Sequence, residues 1–169
     1  MKKVVALLMM MQFGFGFAQV QFDLAGVEKF QKELNAEYAD AKTSPLLPED
    51  LKEFKSLDFY PANDQFFVVA QFIRSENEQP FEMKTTTARK PVYVKYGEAH
   101  FSIDGQFFKL NIYRNIELSK KEQYKDYLFL PFSDLTCGNE SYIGGKYIDM
   151  KIPQGDTIVI DFNRSYNPY

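Results

Sequence analysis

The chain has 169 residues, with 20 Lys or Arg against 23 Asp or Glu, one His and one Cys. Those counts exclude a disulfide scaffold, a Cys/His zinc site and a polycationic nucleic-acid binder, and they argue against a triad built on His. The length points to one domain able to bury a core without staples, and the 17 Phe and 11 Tyr, with no Trp, supply its aromatic material.

In chain order, residues 1–18 read as a secretion signal. Lys2 and Lys3 form a positive start, residues 4–17 are apolar apart from Gln12 and two glycines, and Gly16 and Ala18 hold the small-residue positions of a cleavage site. The apolar stretch is 14 residues, short of the roughly 20 that span a bilayer as a helix, so a retained anchor is the weaker alternative. No Cys follows it, so a lipid cannot be attached at a processed N-terminal Cys. The expected protein is exported, periplasmic or extracellular, and begins at Gln19 with no membrane span. Cleavage leaves 151 residues and a net charge of −5, because two Lys and no acidic residue depart.

The segment 19–43 carries the best helix, over residues 23–41, with Phe30, Leu34, Tyr38 and Ala41 stacked along one face. Pro48 opens a short helical turn running through Phe54, at a position where Pro is tolerated. The period then changes to two. Residues 66–73 read as a strand covered on both faces, and 81–86, 92–96 and 101–103 follow. Asp104-Gly105 is a strong two-residue hairpin signal returning into 108–112. Residues 115–126 read as a solvated loop or helical turn, and strands at 127–132, 147–152 and 157–162 complete the set. The expected fold is all-β and mainly antiparallel, with about eight strands in a barrel or a two-sheet sandwich and one N-terminal α-helix.

Four motifs stand in order along residues 44–169: SPLLPEDLKEFKSLDFYP, VKYGEAHFSIDGQFFKLNIY, LFLPFSDLTCGNESYIGGKYIDM and VIDFNRSYNPY. Together they resemble the bacterial family of domain of unknown function 1684. The resemblance implies a β-rich fold, often exported, and brings no activity or catalytic residue. Members usually have Ser or another small residue where Cys137 stands. They tend to continue past the Asn-Pro-Tyr stretch with a two-cysteine, Pro-rich segment and a final strand, so the resemblance implies either a truncated form or the absence of a terminal strand and its disulfide, with an unpaired sheet edge expected beside residues 157–162.

Polar residues and glycines crowd the last part of the chain. Asp134, Glu140, Tyr142, Lys146, Tyr147, Asp149, Asp161, Asn163, Tyr166 and Asn167 are the candidate ligand-binding residues, with Gly138, Gly144 and Gly145 among them. If the strands flanking Pro153-Gln154-Gly155 pair, Ile148 meets Phe162 and Met150 meets Ile160, and Asp149 falls opposite Asp161 on the other face. Opposed like charges are destabilising, so a Lys or Arg, a shared proton or a bound cation must offset them; Glu140 could add a ligand to a hard cation. Tyr142, Tyr147, Tyr166 and Tyr169 with Asn163 and Asn167 suit a neutral polar ligand such as a carbohydrate, or are half-buried strand tyrosines reaching loop carbonyls.

His100 reads as a solvent-facing strand residue, and Cys137 as a free thiol in a turn with no visible base. Gly144-Gly145-Lys146 lacks the spacing of a phosphate loop, and scattered basic residues give no nucleic-acid surface. No cofactor and no metal ligand set is assigned. Three functions remain open: an exported binder of a small polar ligand or cation, a hydrolase-like enzyme with paired carboxylates, and an envelope structural domain.

Overall fold

A computed structural model describes residues 20–85 and 88–167; the expected secretion signal, Thr86 of the expected strand 81–86, and Tyr169 lie outside them. Helix α1 (Leu24–Ala39) starts where Asp23 caps it by accepting from the Gly26 amide at 3.0 Å. Its buried positions are Val27 and Tyr38, so the covered stripe begins one turn earlier than the sequence indicates, and Ala41 is exposed beyond the helix end. A second helix, α2 (Pro48–Glu53), has its Pro at the first turn as expected.

Seven strands follow: β1 (Phe67–Arg74), β2 (Phe81–Glu82), β3 (Val92–Ile103), β4 (Gln106–Asn115), β5 (Tyr127–Phe132), β6 (Lys146–Lys151) and β7 (Thr157–Asp161). They form one antiparallel sheet in the order β6-β5-β4-β3-β1-β7, with β2 added to β3. A single sheet rules out the two-sheet sandwich. The expected strands 92–96 and 101–103 are one strand, because a bulge between Lys95 and Gly97 flips the inward parity from even to odd residues. Asp104 (φ 50°) and Gly105 (φ 75°) take the two left-handed positions of the β3–β4 turn. Residues 115–126 form two short 3-10 turns, at Leu118–Lys120 and Glu122–Tyr124.

The expected β6–β7 hairpin is not formed. β6 pairs with β5, Ile148 lying opposite Leu130, while β7 pairs with β1, Ile160 lying opposite Val68. The two strands are the opposite ends of the sheet, yet only residues 152–156 connect them, so the sheet must curl until its ends approach. Across that seam the backbones of Tyr147 and Tyr166 exchange hydrogen bonds of 2.8 and 3.0 Å. The enclosed core holds Val68, Ala70, Ile112, Leu128, Leu130 and Ile160. The inward faces of β6 and β7 are the ones read from the sequence; the partner was wrong because Ile158 and Ile160 point inward whichever strand lies beside them. β1 is not covered on both faces as expected: Val68 and Ala70 are buried, while Val69 and Ile73 face solvent.

Candidate functional site

Every neighbour in the sheet is antiparallel, so β1, β4 and β6 begin, and β3, β5 and β7 end, at one end of the half-barrel. A cavity of about 690 Å³ opens there, within the range of small-ligand sites. Phe101 of β3, Phe108 and Leu110 of β4, Phe132 of β5 and Phe162 after β7 form its apolar wall, and Tyr60 and Phe66 approach from the segment before β1. The wall is an aromatic cluster: ring centroids lie 5.7 Å apart for Phe101–Phe108, 5.6 Å for Phe101–Phe162 and 5.1 Å for Phe132–Phe162. Phe108 remains 43% exposed despite pointing inward, because the mouth is open.

The polar side of the cavity comes from the β5–β6 connection. Lys146, the first residue of β6, points inward with only 8% of its side chain exposed. Its ammonium donates to both Asp134 oxygens at 2.9 and 2.7 Å and to Thr136 Oγ1 at 2.5 Å. Thr136 donates its hydroxyl to Asp134 at 2.5 Å, so Ser141, 2.9 Å away, is the donor to Thr136. The Thr136 carbonyl gathers the amides of Asn139, Glu140 and Ser141, which folds the loop back on itself. Burial works to raise the Asp134 pKa, but the hydrogen bonds from Lys146 and Thr136 outweigh it and hold the carboxyl below its usual range. The Lys146 ammonium also lies 5.9 Å from the centre of the Tyr60 ring, whose hydroxyl donates to Glu140 at 3.1 Å.

On the other side, Asn163 is clamped to Asn63: its side chain accepts from the Asn63 amide at 2.8 Å and donates to the Asn63 carbonyl at 2.9 Å. This ties the chain after β7 to the segment before β1. Tyr166 and Asn167 also line the cavity, as do Ser133 and Ser165. Ser133, Ser165 and Asn167 bring neutral polar side chains to the lining.

The remaining expected residues lie elsewhere. Asp149 does not face Asp161. It stands on the outer face of β6, where one oxygen accepts from Tyr127 at 2.7 Å and Tyr166 at 2.9 Å. Burial, then the Asp149 charge, pushes both phenols well above their ordinary range. Tyr147 packs outside as well, its ring 4.7 Å from Phe129 and 5.9 Å from Tyr166. Asp161 accepts from Asn163 at 2.8 Å and pairs with Arg164 at 3.1 Å. Tyr142 is an exposed loop residue. Asp149 and Asp161 both border a second groove of about 630 Å³ at the β6–β7 seam, but each is held by its own partners there. Glu140, Asp149 and Asp161 therefore make no shared cation site, and no cluster of three or more His, Cys, Asp or Glu occurs among the described residues.

His100 faces outward, its Nε2 2.8 Å from Glu98. The Cys137 thiol is free and turned toward Asp134 at 3.8 Å. Tyr60, Ser141 and the aromatic wall were missed in the sequence. Their only local signal is the Phe59-Tyr60-Pro61 run before β1.

A family model described as a protein of unknown function (DUF1684) matches residues 52–169. The chain is also similar to the solution NMR structure of an uncharacterized protein of Haloarcula marismortui, with 26% identity and a TM-score of 0.65, over 85% of this chain and 77% of that one. No curated protein matches the chain.

Proposed function

We propose that this chain, which belongs to the DUF1684 family, binds a small ligand in the mouth cavity and works as a binder rather than a hydrolase. The observation that carries this reading is the meeting, around one cavity of about 690 Å³, of a phenylalanine wall with polar groups from the crowded late segment. The ligand has an apolar body, which takes the Phe101, Phe108, Phe132 and Phe162 side. Its head group is neutral and hydrogen-bonding, because the Lys146 charge is already balanced by Asp134 and the neutral polar residues of the lining include Ser133, Ser165 and Asn167. A separate carboxylate pair for hydrolysis is disfavoured by the individual anchoring of Asp149 and Asp161.

2-Naphthol, a fluorescent probe with an apolar ring body and a neutral hydroxyl, tests the reading. One probe is expected to bind per chain, and Phe108→Ser and Asn167→Ala together weaken it by about tenfold, equivalent to about 1.4 kcal/mol. Unchanged binding in that variant contradicts the assignment. Export follows from the secretion signal as part of the same proposal. Protein recovered from outside the cytoplasm should begin at Gln19; an intact Met1 on all of it removes this part.

A further inference from the structure

We infer that the mouth cavity selects an apolar molecule whose head donates a hydrogen bond, such as a phenol or a long-chain alcohol, and that the Asp134 carboxylate accepts it. This rests on the ligand reading and narrows it, since a neutral head is otherwise as well an ether or a ketone. The protons of the polar wall separate the two. Lys146 has three, and Asp134 Oδ1, Asp134 Oδ2 and Thr136 Oγ1 all lie in reach of them. The Thr136 hydroxyl proton goes to Asp134 Oδ1. The Ser141 proton goes to Thr136 at 2.9 Å, in preference to the Cys137 sulfur at 3.9 Å. Every proton of this network is therefore engaged within it.

Its lone pairs are not all engaged. An ionised carboxylate has about four acceptor positions. Oδ1 takes the Thr136 amide, the Thr136 hydroxyl and the Lys146 ammonium, whereas Oδ2 takes the ammonium. The Asp134 side chain lines the cavity and is 43% exposed, against 8% for Lys146. The charged wall thus turns an acceptor toward the cavity and keeps its donors behind it. Ser133, Ser165 and Asn167 each donate and accept, so they adapt to either kind of head; a carboxylate accepts only, so it discriminates. An ether or carbonyl oxygen against Asp134 displaces water without replacing its hydrogen bond. An anionic head is repelled, and an ammonium meets a carboxylate already balanced by Lys146. Phe132 and Lys146 stand opposite each other in the β5–β6 ladder, so a head on Asp134 lays the apolar body along Phe132 and Phe162, whose rings are 5.1 Å apart.

Three naphthalenes with one body test the assignment by fluorescence titration. 2-Naphthol donates and accepts, 2-methoxynaphthalene accepts without donating, and 2-fluoronaphthalene matches the hydroxyl in size without donating. 2-Naphthol should bind about tenfold tighter than either of the others, although both are the more hydrophobic. In Asp134→Asn with Lys146→Met, which removes both charges and leaves neither buried alone, that preference should fall to about twofold or less. The wild-type series decides the matter even where this variant does not fold. Equal binding of 2-methoxynaphthalene and 2-naphthol overturns the inference, and so does equal binding of all three; if Phe108→Ser still weakens each probe, the ligand reading survives that result. An undiminished preference in the folded double variant removes Asp134 as the acceptor and also overturns it. Saturable binding of none of the three overturns the ligand reading itself.

Discussion

Lys146 and Asp134 are unequal partners. The lysine side chain is 8% exposed and the aspartate 43%, so removing each leaves a different orphan. Asp134→Asn strands a buried ammonium and should cost about 1–2 kcal/mol, discounted from the 3–5 kcal/mol of a fully buried pair for the water on Asp134. Lys146→Met leaves a carboxylate that can rehydrate, and should cost less; urea midpoints give the order. Two titrations carry definite signs. Glu98, on the outer face, is held down from 4.5 to about 2 by its hydrogen bonds to Lys95 and then His100. A depressed carboxyl contributes stability above its unfolded pKa that is lost as pH falls through the folded one, so acid weakening of the fold should gather between pH 4.5 and 2. Glu98→Gln should flatten that part of the curve. Tyr127 and Tyr166 are raised from 10.0, so their contribution is complete below pH 10 and declines above it. Alkaline titration followed by phenolate absorbance should find both ionising only together with loss of the circular-dichroism signal.

Strand pairing brings together what local pattern separates. Gly97 sits at the bulge of β3, where a Cβ would come 2.5 Å from the Phe72 ring and 2.7 Å from the Ile73 carbonyl oxygen. Gly97→Ala should therefore cost about 2–3 kcal/mol from overpacking. Gly105→Ala has open space and only its φ of +75° to oppose it, and should cost about 1 kcal/mol; thermal unfolding of the two variants checks the order. The Asp104-Gly105 turn, the inward faces of β6 and β7 and the helix beginning near Asp23 were all legible, because each depends on residues adjacent in sequence. The β3 bulge was read as a gap between strands, since a change of parity looks the same as a break. The β6–β7 pairing was misread for a different reason: a five-residue connection between two alternating segments resembles a hairpin, and only the closure of the whole sheet assigns β7 to β1.

At the scale of the molecule, the candidate residues divided by face. Asp134, Lys146, Asn163 and Asn167 converge on the cavity and Glu140 stands near it through Tyr60; Tyr166 borders the cavity but sends its hydroxyl out to Asp149, which with Tyr147 belongs to the outer aromatic layer. The segment dense in polar residues and glycines contributes Asp134, Lys146, Asn163 and Asn167 to one end of the sheet. Its partner wall was hidden, because Phe101, Phe108, Phe132 and Phe162 come from four separate places in the chain and look like ordinary core until the sheet curls. The central claim is that the mouth cavity, not the seam groove, receives an apolar molecule with a hydrogen-bonding head. Amide chemical-shift mapping by NMR during titration with decanol tests it most directly. The shifts should concentrate at residues 101–108, 132–141 and 162–167, with the seam residues 149–151 and 157–159 still. Shifts centred on the seam, or none that saturate, would contradict it.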